Sequence, residues 1–376
     1  MGPPLFKIKA TEAKGYGVFA TTPIPQGTII FRDRKVLTIN KPTEDVTRRD
    51  TEEAFAKLSS KDKEAVMQLA EYHKPGMDET KLQRILRTNS FGDGYSAYLY
   101  LTISRINHAC ISNASLKDDV IIAEQDIPAG GEILITYDSD KYEGLTAAQR
   151  GIVIENDYGF KCDCIACRPS GLRMLSDARR QLILHLKSAL DGFQAPDLSF
   201  LHTATQAELW HMEWPPARSR LRRPLSKTQK IEYTFLLARL REAEGLAGVS
   251  VGKAYSEAAW LLFQHLEDYV LECPFLEDIV FLEPARCVRA WMLKALELYR
   301  KSCPPGHQNL RVMHENWDEM RQQELLHFVD GSSLARRFPA DAFAVQLATP
   351  INALRPKRGL SMAECEQLIR QRARGI

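Results

Sequence analysis

Hydrophobic residues in the first 140 positions fall in short runs separated by turns that contain glycine and proline. These runs are rich in β-branched and aromatic residues, a pattern that predicts β-strands. The predicted strands cover residues 14–20, 28–31, 98–106, 120–123 and 133–137. No helix alternates with them and no phosphate-binding loop is present, so the pattern argues against a nucleotide-binding parallel sheet.

Between residues 45 and 87 the apolar positions recur at helical spacing instead. The recurring positions are Phe55, Leu58, Val66, Leu69, Leu82, Ile85 and Leu86, with a break at residues 74–76. This predicts a small helical insert between strands, and residues 88–94 are predicted as the loop that ends it.

After residue 167 the pattern becomes that of amphipathic helices, predicted at 175–190, 231–244, 254–271, 285–299 and 315–328. Glycine and proline breaks between them favour stacked helical hairpins, although the irregular spacing identifies no repeat family. Trp260 and Trp291 are predicted to fill the helical core. The chain is therefore predicted to be α+β, with a β-rich first half and a helical second half.

Length, composition and charge indicate the number of domains, the expected partners and the cellular compartment. The 376 residues can form two domains, and 44% hydrophobic with 26% charged residues is ordinary for a globular protein. A net charge of +2 lacks the basic excess of a nucleic-acid binder, so direct nucleic-acid binding is not expected. No run spans a membrane and no secretory signal opens the chain, which predicts the cytoplasm, the nucleus or both. The oligomeric state is not predicted.

Three cysteines, Cys162, Cys164 and Cys167, form a C-x-C-x-x-C pattern. In a reducing compartment such close spacing favours a shared zinc ion over disulfides. A tetrahedral site needs a fourth ligand, for which the candidates are Cys110 and a nearby histidine; we adopt Cys110. The alternative is three unligated loop thiols. The isolated cysteines are interpreted as small buried hydrophobic residues, and they are Cys273, Cys287, Cys303 and Cys365.

Three segments resemble motifs of SET-domain methyltransferases. Residues 105–113, RINHACISN, resemble R-x-x-N-H-x-C-x-P-N, and residues 131–137, GEILITY, resemble the G-E-E-[IL]-x-x-x-Y motif. Residues 160–167, FKCDCIAC, resemble the F-x-C-x-C-x-x-C of the post-SET zinc segment. Residues 15–20 and 88–91 are similar to the G-x-G opening and to an N-x-F segment of the branch that carries MYND fingers. All occur in the family's order.

The resemblance implies a SET domain over 1–169, with the helical insert at about 41–98 and the post-SET zinc segment at 158–169. A tetratricopeptide-like helical domain over 170–376 would follow, as in the SET-and-MYND branch and its fungal relatives. It implies S-adenosylmethionine as methyl donor, one structural zinc ion, and a lysine amine of a protein as acceptor. No MYND finger is present, because the insert contains no cysteine.

The resemblance also assigns site residues. Tyr137 would align the reacting amine and Tyr158 would line its channel, whereas taken alone each tyrosine is typical of packing. The donor site would comprise Lys14, Gly15, Tyr16, Gly17, Asn89, Asn107, His108, Tyr137 and Phe160. Without the family, the two glycines indicate only a hairpin, and Asn107-His108 only a turn.

Departures from the motifs leave alternatives open. Ser112 replaces proline, Gly131 replaces an acidic residue, and Arg32-Asp33-Arg34 replaces the usual end of the second strand. The alternatives are a methyltransferase acting on a small-molecule amine or other nucleophile, a donor-binding scaffold of weak activity, and a zinc-containing interaction module.

Overall fold

The computed structural model describes residues 4–11, 14–74, 76–92, 94–205, 208–209, 216–272 and 278–322, without side chains at 267–272 and 278–286. Cys273, Cys365 and the predicted helical segment 323–328 lie outside these residues. The chain divides into two compact units. One comprises residues 1–137, 149–164 and 201–212, and the other 138–148, 165–200 and 213–376. The predicted domain boundary at 169/170 stays a prediction.

Strands dominate the first unit, as predicted. They are β1 (Phe6–Thr11), β2 (Gly15–Ala20), β3 (Ile29–Arg32), β4 (Lys35–Ile39), β5 (Phe91–Gly92), β6 (Ala97–Tyr100), β7 (Asn107–His108), β8 (Ala114–Lys117), β9 (Val120–Ala123) and β10 (Glu132–Ile135). They form three small sheets in the orders β1-β2-β10-β7, β3-β9-β8 and β4-β6-β5. Buried residues such as Val18, Tyr100, Ile121 and Ile133 form their common core.

The insert is helical, as predicted, with α1 (Arg48–Ala56), α2 (Ser60–Met67) and α3 (Lys81–Asn89). Helix α3 begins at a capping box in which Thr80 and Gln83 satisfy each other's backbone N–H groups. Its buried face packs Ile85 and Leu86 against strand residues such as Leu99. The insert is therefore anchored on the β4-β6-β5 sheet by its own small hydrophobic core.

Three local predictions are wrong. Residues 98–106, predicted as one strand, form β6 only as far as Tyr100 and then a 3-10 turn at Ile103–Arg105. Residues 88–94, predicted as a loop, contain the end of α3 and the strand β5, because Phe91 pairs with Tyr98 of β6. No helix was predicted between residues 137 and 175, yet α4 (Ser139–Tyr142) and α5 (Ala147–Tyr158) lie there. The β-branched run Ile152-Val153-Ile154 disguises α5, whose helical form buries Val153 and Ile154.

The second unit is helical, which with the strands of the first confirms the α+β class. Its longer helices are α6 (Gly171–Leu190), α7 (Lys227–Glu244), α8 (Gly248–Glu272), α9 (Asp278–Ser302) and α10 (Gln308–Gln322). Phe235 stacks on Trp291 with ring centroids 4.3 Å apart, and Trp260 packs at the edge of the same core. Cys287 and Cys303 are buried there, as predicted. None of the described helices combines the length and apolar character needed to cross a bilayer.

A buried ion-pair network also holds this unit together. The Glu143 carboxylate accepts hydrogen bonds from Arg241 Nε and Lys187 Nζ, each at 2.6 Å. Burial alone would raise the pKa of Glu143, but the two cations outweigh it and hold the pKa below its usual range. A carboxylate whose pKa is lowered by folding stabilises the folded state above its unfolded pKa.

We expect the stabilisation from Glu143 to be complete above pH of about 5 and lost as the pH falls below about 4.3 towards the lowered pKa. Glu143→Gln should cost about 3–5 kcal/mol at neutral pH, because it leaves the buried Arg241 charge uncompensated. Denaturant unfolding followed by tryptophan fluorescence, from pH 7 to pH 3, measures both effects. Glu297→Gln, which breaks an exposed pair with Lys301, is the control; an equal loss there would contradict the prediction.

Candidate active site

The site is built where two chain segments distant in sequence become neighbouring strands. Strand β7 pairs in parallel with β10, which sets Asn107 opposite Leu134 and His108 opposite Ile135. The Asn113 side chain extends this pairing: its Oδ1 accepts from Leu134 N at 2.8 Å, and its Nδ2 donates to Glu132 O at 2.9 Å. A side-chain amide thus takes the place of a neighbouring strand beside β10.

The approach to β7 is fixed by one of the residues that departs from the family pattern. A 3-10 turn at Ile103–Arg105 leads into the strand. The Asp33 carboxylate caps it, since Oδ2 accepts from the backbone N of Thr102 at 2.7 Å and of Ile103 at 3.0 Å. Asp33 therefore has a structural role, and the flanking Arg32 pairs with Asp119.

The other departures are also compatible with the fold. A side chain at Gly131 would meet the Pro128 carbonyl oxygen at 2.9 Å, so this turn has no room for the acidic residue of the motif. Ser112 is buried, and its carbonyl accepts from Gln125 Nε2 at 3.3 Å.

An aromatic cluster surrounds the end of β10. The Tyr137 ring lies 5.0 Å from Tyr158 and 6.4 Å from Phe160, centroid to centroid, and meets Phe160 almost edge-on at 82°. His108 completes the cluster, 5.1 Å from Tyr137 and 6.1 Å from Phe160. Residues separated by as many as 52 positions in sequence, from 108 to 160, are thus brought together.

Tyr137 is held as a neutral phenol. Burial first, and the negative charge of Glu132 second, raise its pKa well above the ordinary tyrosine value. Its hydroxyl donates to the Ile106 carbonyl at 3.0 Å. The single phenolic hydrogen is therefore engaged, and the oxygen lone pairs remain as acceptors for another group.

The four cysteines Cys110, Cys162, Cys164 and Cys167 come together, with all sulfurs within 4.8 Å of one another. Cys110 Sγ lies 3.8 Å from Cys162 Sγ, which is the edge of a tetrahedron with zinc–sulfur bonds of about 2.3 Å. Cys110 is buried and the other three are partly buried. This group can hold a zinc ion, with Cys110 as the fourth ligand that spacing alone left undecided.

The His108 ring lies between the four cysteines and Tyr137 and contacts both Cys110 and Tyr137. The backbone N of Tyr137 donates to His108 Nδ1 at 3.2 Å, so the proton of a neutral ring is on Nε2. Nε2 lies 3.4 Å from Cys110 Sγ and can donate to it. Imidazole N–H donation to a ligand atom is a common outer-shell contact that orients a metal site.

The hairpin residues that are predicted to bind the methyl donor lie beside Asn107. Gly15 has φ of +68°, and a side chain there would meet nothing within 4 Å, so open space adjoins it. Asn107 Nδ2 donates to Tyr16 O, and Lys14 Nζ lies 3.6 Å from Glu132 Oε2. Asn107 Oδ1 has no hydrogen-bond partner among the described residues. An acceptor without a partner on this half-buried side chain can take a hydrogen bond from the ammonium group of an amino-acid ligand such as S-adenosylmethionine.

Asn89 lies at the end of α3, and its side chain has a structural contact. Its Nδ2 donates to Ala70 O at 2.6 Å and Ile85 O at 2.7 Å, which ties the insert together. Its backbone carbonyl accepts from Ser104 Oγ at 3.3 Å, beside the turn that leads to β7. Its assignment to the donor site stays a prediction.

The tight turn between Tyr158 and Phe160 depends on Gly159. Its φ is +74°, and a side chain there would overlap the Tyr72 ring of the insert. Arg87 of α3 adds a hydrogen bond to the Asp157 carbonyl at 3.3 Å. The insert therefore packs against the turn that places two of the cluster's rings.

Gly159→Ala is expected to destabilise the first unit by more than the roughly 1–2 kcal/mol of a left-handed residue, because the methyl group also displaces Tyr72. Gly130→Ala is the matched control, since Gly130 has φ of +77° with open space around it. Thermal unfolding of both variants measures the difference. Equal losses would show that the Tyr72 contact is unimportant.

Sequence reasoning missed Glu132, Asn113 and Asp33 as contributors to the site. Glu132 was visible as the second acid of the G-E-E motif and Asn113 as the last residue of the Asn-His motif. Their contacts with Asn107 and β10 depend on strand pairing, which the motifs do not specify.

Comparison with known proteins supports the motif assignment. Residues 15–138 match the family model of the SET domain. The Histone-lysine N-methyltransferase set5 of Schizosaccharomyces pombe is 29% identical over 189 residues, or 48% of this chain and 56% of the relative. The SET domain-containing protein SmydA-8, isoform A, of Drosophila melanogaster is 33% identical over 96 residues, or 22% of this chain and 20% of the relative. The chain spans little more than half of the first relative.

A solved structure, the SET domain of LSMT bound to lysine and AdoHcy, also aligns with this chain. The alignment covers 92% of this chain and 95% of the other, at 14% identity and a TM-score of 0.27. At that TM-score the alignment supports no conclusion about this protein.

Proposed function

We propose that this chain, which carries a SET domain over residues 15–138, transfers a methyl group from S-adenosylmethionine to a lysine amine of a protein. The observation that carries the proposal is the ring cluster of Tyr137, Tyr158 and Phe160 beside the Asn107–His108 strand. The name of the fission-yeast relative suggests histones as the first substrates to test. We expect the reaction to take place in the nucleus, the cytoplasm or both.

The central chemical problem is the acceptor's charge. A lysine ammonium with a pKa of about 10.4 cannot attack an electrophile until it loses a proton. An aromatic channel disfavours the charged form, because the rings replace water that would solvate it. Tyr158 would line such a channel, and its ring packs directly on Tyr137.

Tyr137 would fix the line of attack. S-adenosylmethionine, when bound, supplies a methyl group on a positively charged sulfur. The neutral Tyr137 hydroxyl donates its hydrogen bond to Ile106 O. It therefore presents only oxygen lone pairs to the reacting groups. These can accept from the amine N–H or the polarised methyl C–H groups, and such positioning can contribute much of the rate.

The remaining residues would hold the donor. Asn107 and His108 would bind it from β7, with Lys14, Gly15, Tyr16, Gly17 and Asn89 around its amino-acid part. Phe160 offers a ring face to the adenine. The four cysteines would hold zinc and thereby keep the turn that carries Phe160 close to Cys110. The zinc would be structural, since four thiolates leave no open coordination position.

Methyl transfer from labelled S-adenosylmethionine tests the proposal. The purified chain is incubated with core histones and separately with cell lysate, and the label is counted in protein and small-molecule fractions. Label in protein that is released as methyl-lysine on hydrolysis is the expected result. Label confined to small molecules would point to an amine metabolite as the acceptor.

Donor binding without transfer to either fraction would indicate a scaffold instead. Calorimetry with S-adenosylmethionine separates that outcome from absence of donor binding. Lack of binding to the zinc-loaded protein would overturn the proposal.

A further inference from the structure

Two hydrogen bonds donated by Nδ2 fix the orientation of the Asn107 side-chain amide. Its Nδ2 donates to Glu132 Oε1 at 2.7 Å and to Tyr16 O at 3.2 Å. Both partners can only accept, so both amide hydrogens are engaged and the assignment of nitrogen and oxygen is settled. The Oδ1 atom is then the part of this amide left to meet a ligand.

Glu132 is held in place for this contact. It is the first residue of β10 and lies opposite Phe19 of β2 in the sheet. Its side chain is only 19% exposed, and Lys14 Nζ lies 3.6 Å from its second oxygen, Oε2. A carboxylate that is mostly removed from water and paired with a cation is a stronger and more constrained acceptor than a solvated one.

Gly17 makes room for the same pair. A side chain at Gly17 would lie 2.8 Å from Glu132 Oε1 and 3.0 Å from Asn107 Nδ2. The second glycine of the G-x-G opening is therefore required by a contact within the protein. The space that a side chain at this position would need is occupied by the carboxylate–amide pair.

We infer that Glu132 is a positioning residue of the donor site, which holds the Asn107 amide so that only Oδ1 is presented to the donor. A carbonyl-type oxygen accepts from the ammonium of the donor's amino-acid part, whereas the amide NH₂ would repel it. The inference rests on the proposed function, because it names how that site recognises its donor.

Calorimetry with S-adenosylhomocysteine, which carries the same ammonium, tests this inference. Glu132→Ala should weaken binding about tenfold, because the freed Asn107 amide can rotate its NH₂ towards the ligand. Glu132→Gln should stay within about threefold of wild type, since its Oε1 still accepts. Asp163→Asn, which removes the other acidic neighbour of Lys14, should also stay within threefold and shows that the effect does not act through Lys14.

A rescue experiment distinguishes positioning from general structural support. Asn107→Asp places two carboxylates face to face and should weaken binding at least tenfold. Adding Glu132→Gln restores one hydrogen bond with its direction reversed, and should recover most of the loss. All these side chains are nearly equal in size, and thermal unfolding checks that the variants fold.

Two outcomes would overturn the inference alone: wild-type affinity in Glu132→Ala, or no recovery in the Asn107→Asp/Glu132→Gln variant. Absence of S-adenosylhomocysteine and S-adenosylmethionine binding to the wild-type protein would instead overturn the proposed function, and this inference with it.

Discussion

Replacing Tyr137 with phenylalanine is expected to lower the turnover number about a hundredfold, with S-adenosylmethionine affinity changed less than about threefold. The hydroxyl is the only group lost, and it would act on the aligned amine and methyl group. Small losses of alignment can reduce turnover by about this factor. Single-turnover transfer and calorimetry, measured on the same preparation, separate the two effects.

The matched control is Tyr100→Phe. The Tyr100 hydroxyl also donates to a backbone carbonyl, that of Asp118 at 3.1 Å, and burial likewise raises its pKa. Its loss should affect stability and leave turnover per folded molecule unchanged. If Tyr137→Phe lost affinity and turnover in equal measure, the alignment role would be wrong.

Because the pKa of Tyr137 is raised, the acceptor amine and not this tyrosine should determine how activity varies with pH. The phenol is neutral up to and beyond its ordinary value of about 10, so its ionisation cannot limit the reaction near neutrality. We expect activity to rise with pH because the acceptor amine loses its proton. Tyr137→Phe should retain the same rising profile at its lower level.

Loss of the thiols that are proposed to bind zinc is the second change with a large expected effect. Cys110→Ser should weaken zinc binding by at least about a hundredfold, because a hydroxyl replaces one of four thiolates in a site whose free energy of binding also stabilises the fold. Donor affinity should fall with it, since Phe160 precedes Cys162 by only two positions. Metal analysis and competition with a chelator measure zinc, and calorimetry measures donor binding.

Cys303→Ser provides the comparison for this variant. Cys303 is also a buried free thiol, but it lies in the helical core of the second unit. Its replacement should destabilise that core and leave the zinc content unchanged. Full zinc affinity in Cys110→Ser would exclude Cys110 as the fourth ligand.

The sequence alone determined features that depend on neighbouring residues. Helical spacing identified α7 and α8, because the recurrence of apolar residues with the 3.6-residue helical period can be read from neighbouring positions alone. The spacing of Cys162, Cys164 and Cys167 likewise indicated a metal site, since three thiols within six residues can converge on one ion. Motif order assigned Tyr137 to the site, although taken alone it was typical of a packed strand residue.

Only the tertiary structure decided which distant residues meet. Cys110 becomes the fourth thiol because β7 and the 162–167 segment converge, whereas spacing alone left a nearby histidine as an alternative to Cys110. Asn107 meets Glu132 through the pairing of β7, β10 and β2, which no local pattern encodes. Helix α5 forms against the propensity of its β-branched run because burial of Val153 and Ile154 outweighs a preference of a few tenths of a kcal/mol per residue. Local pattern therefore supplied the chemistry, and long-range packing determined its geometry.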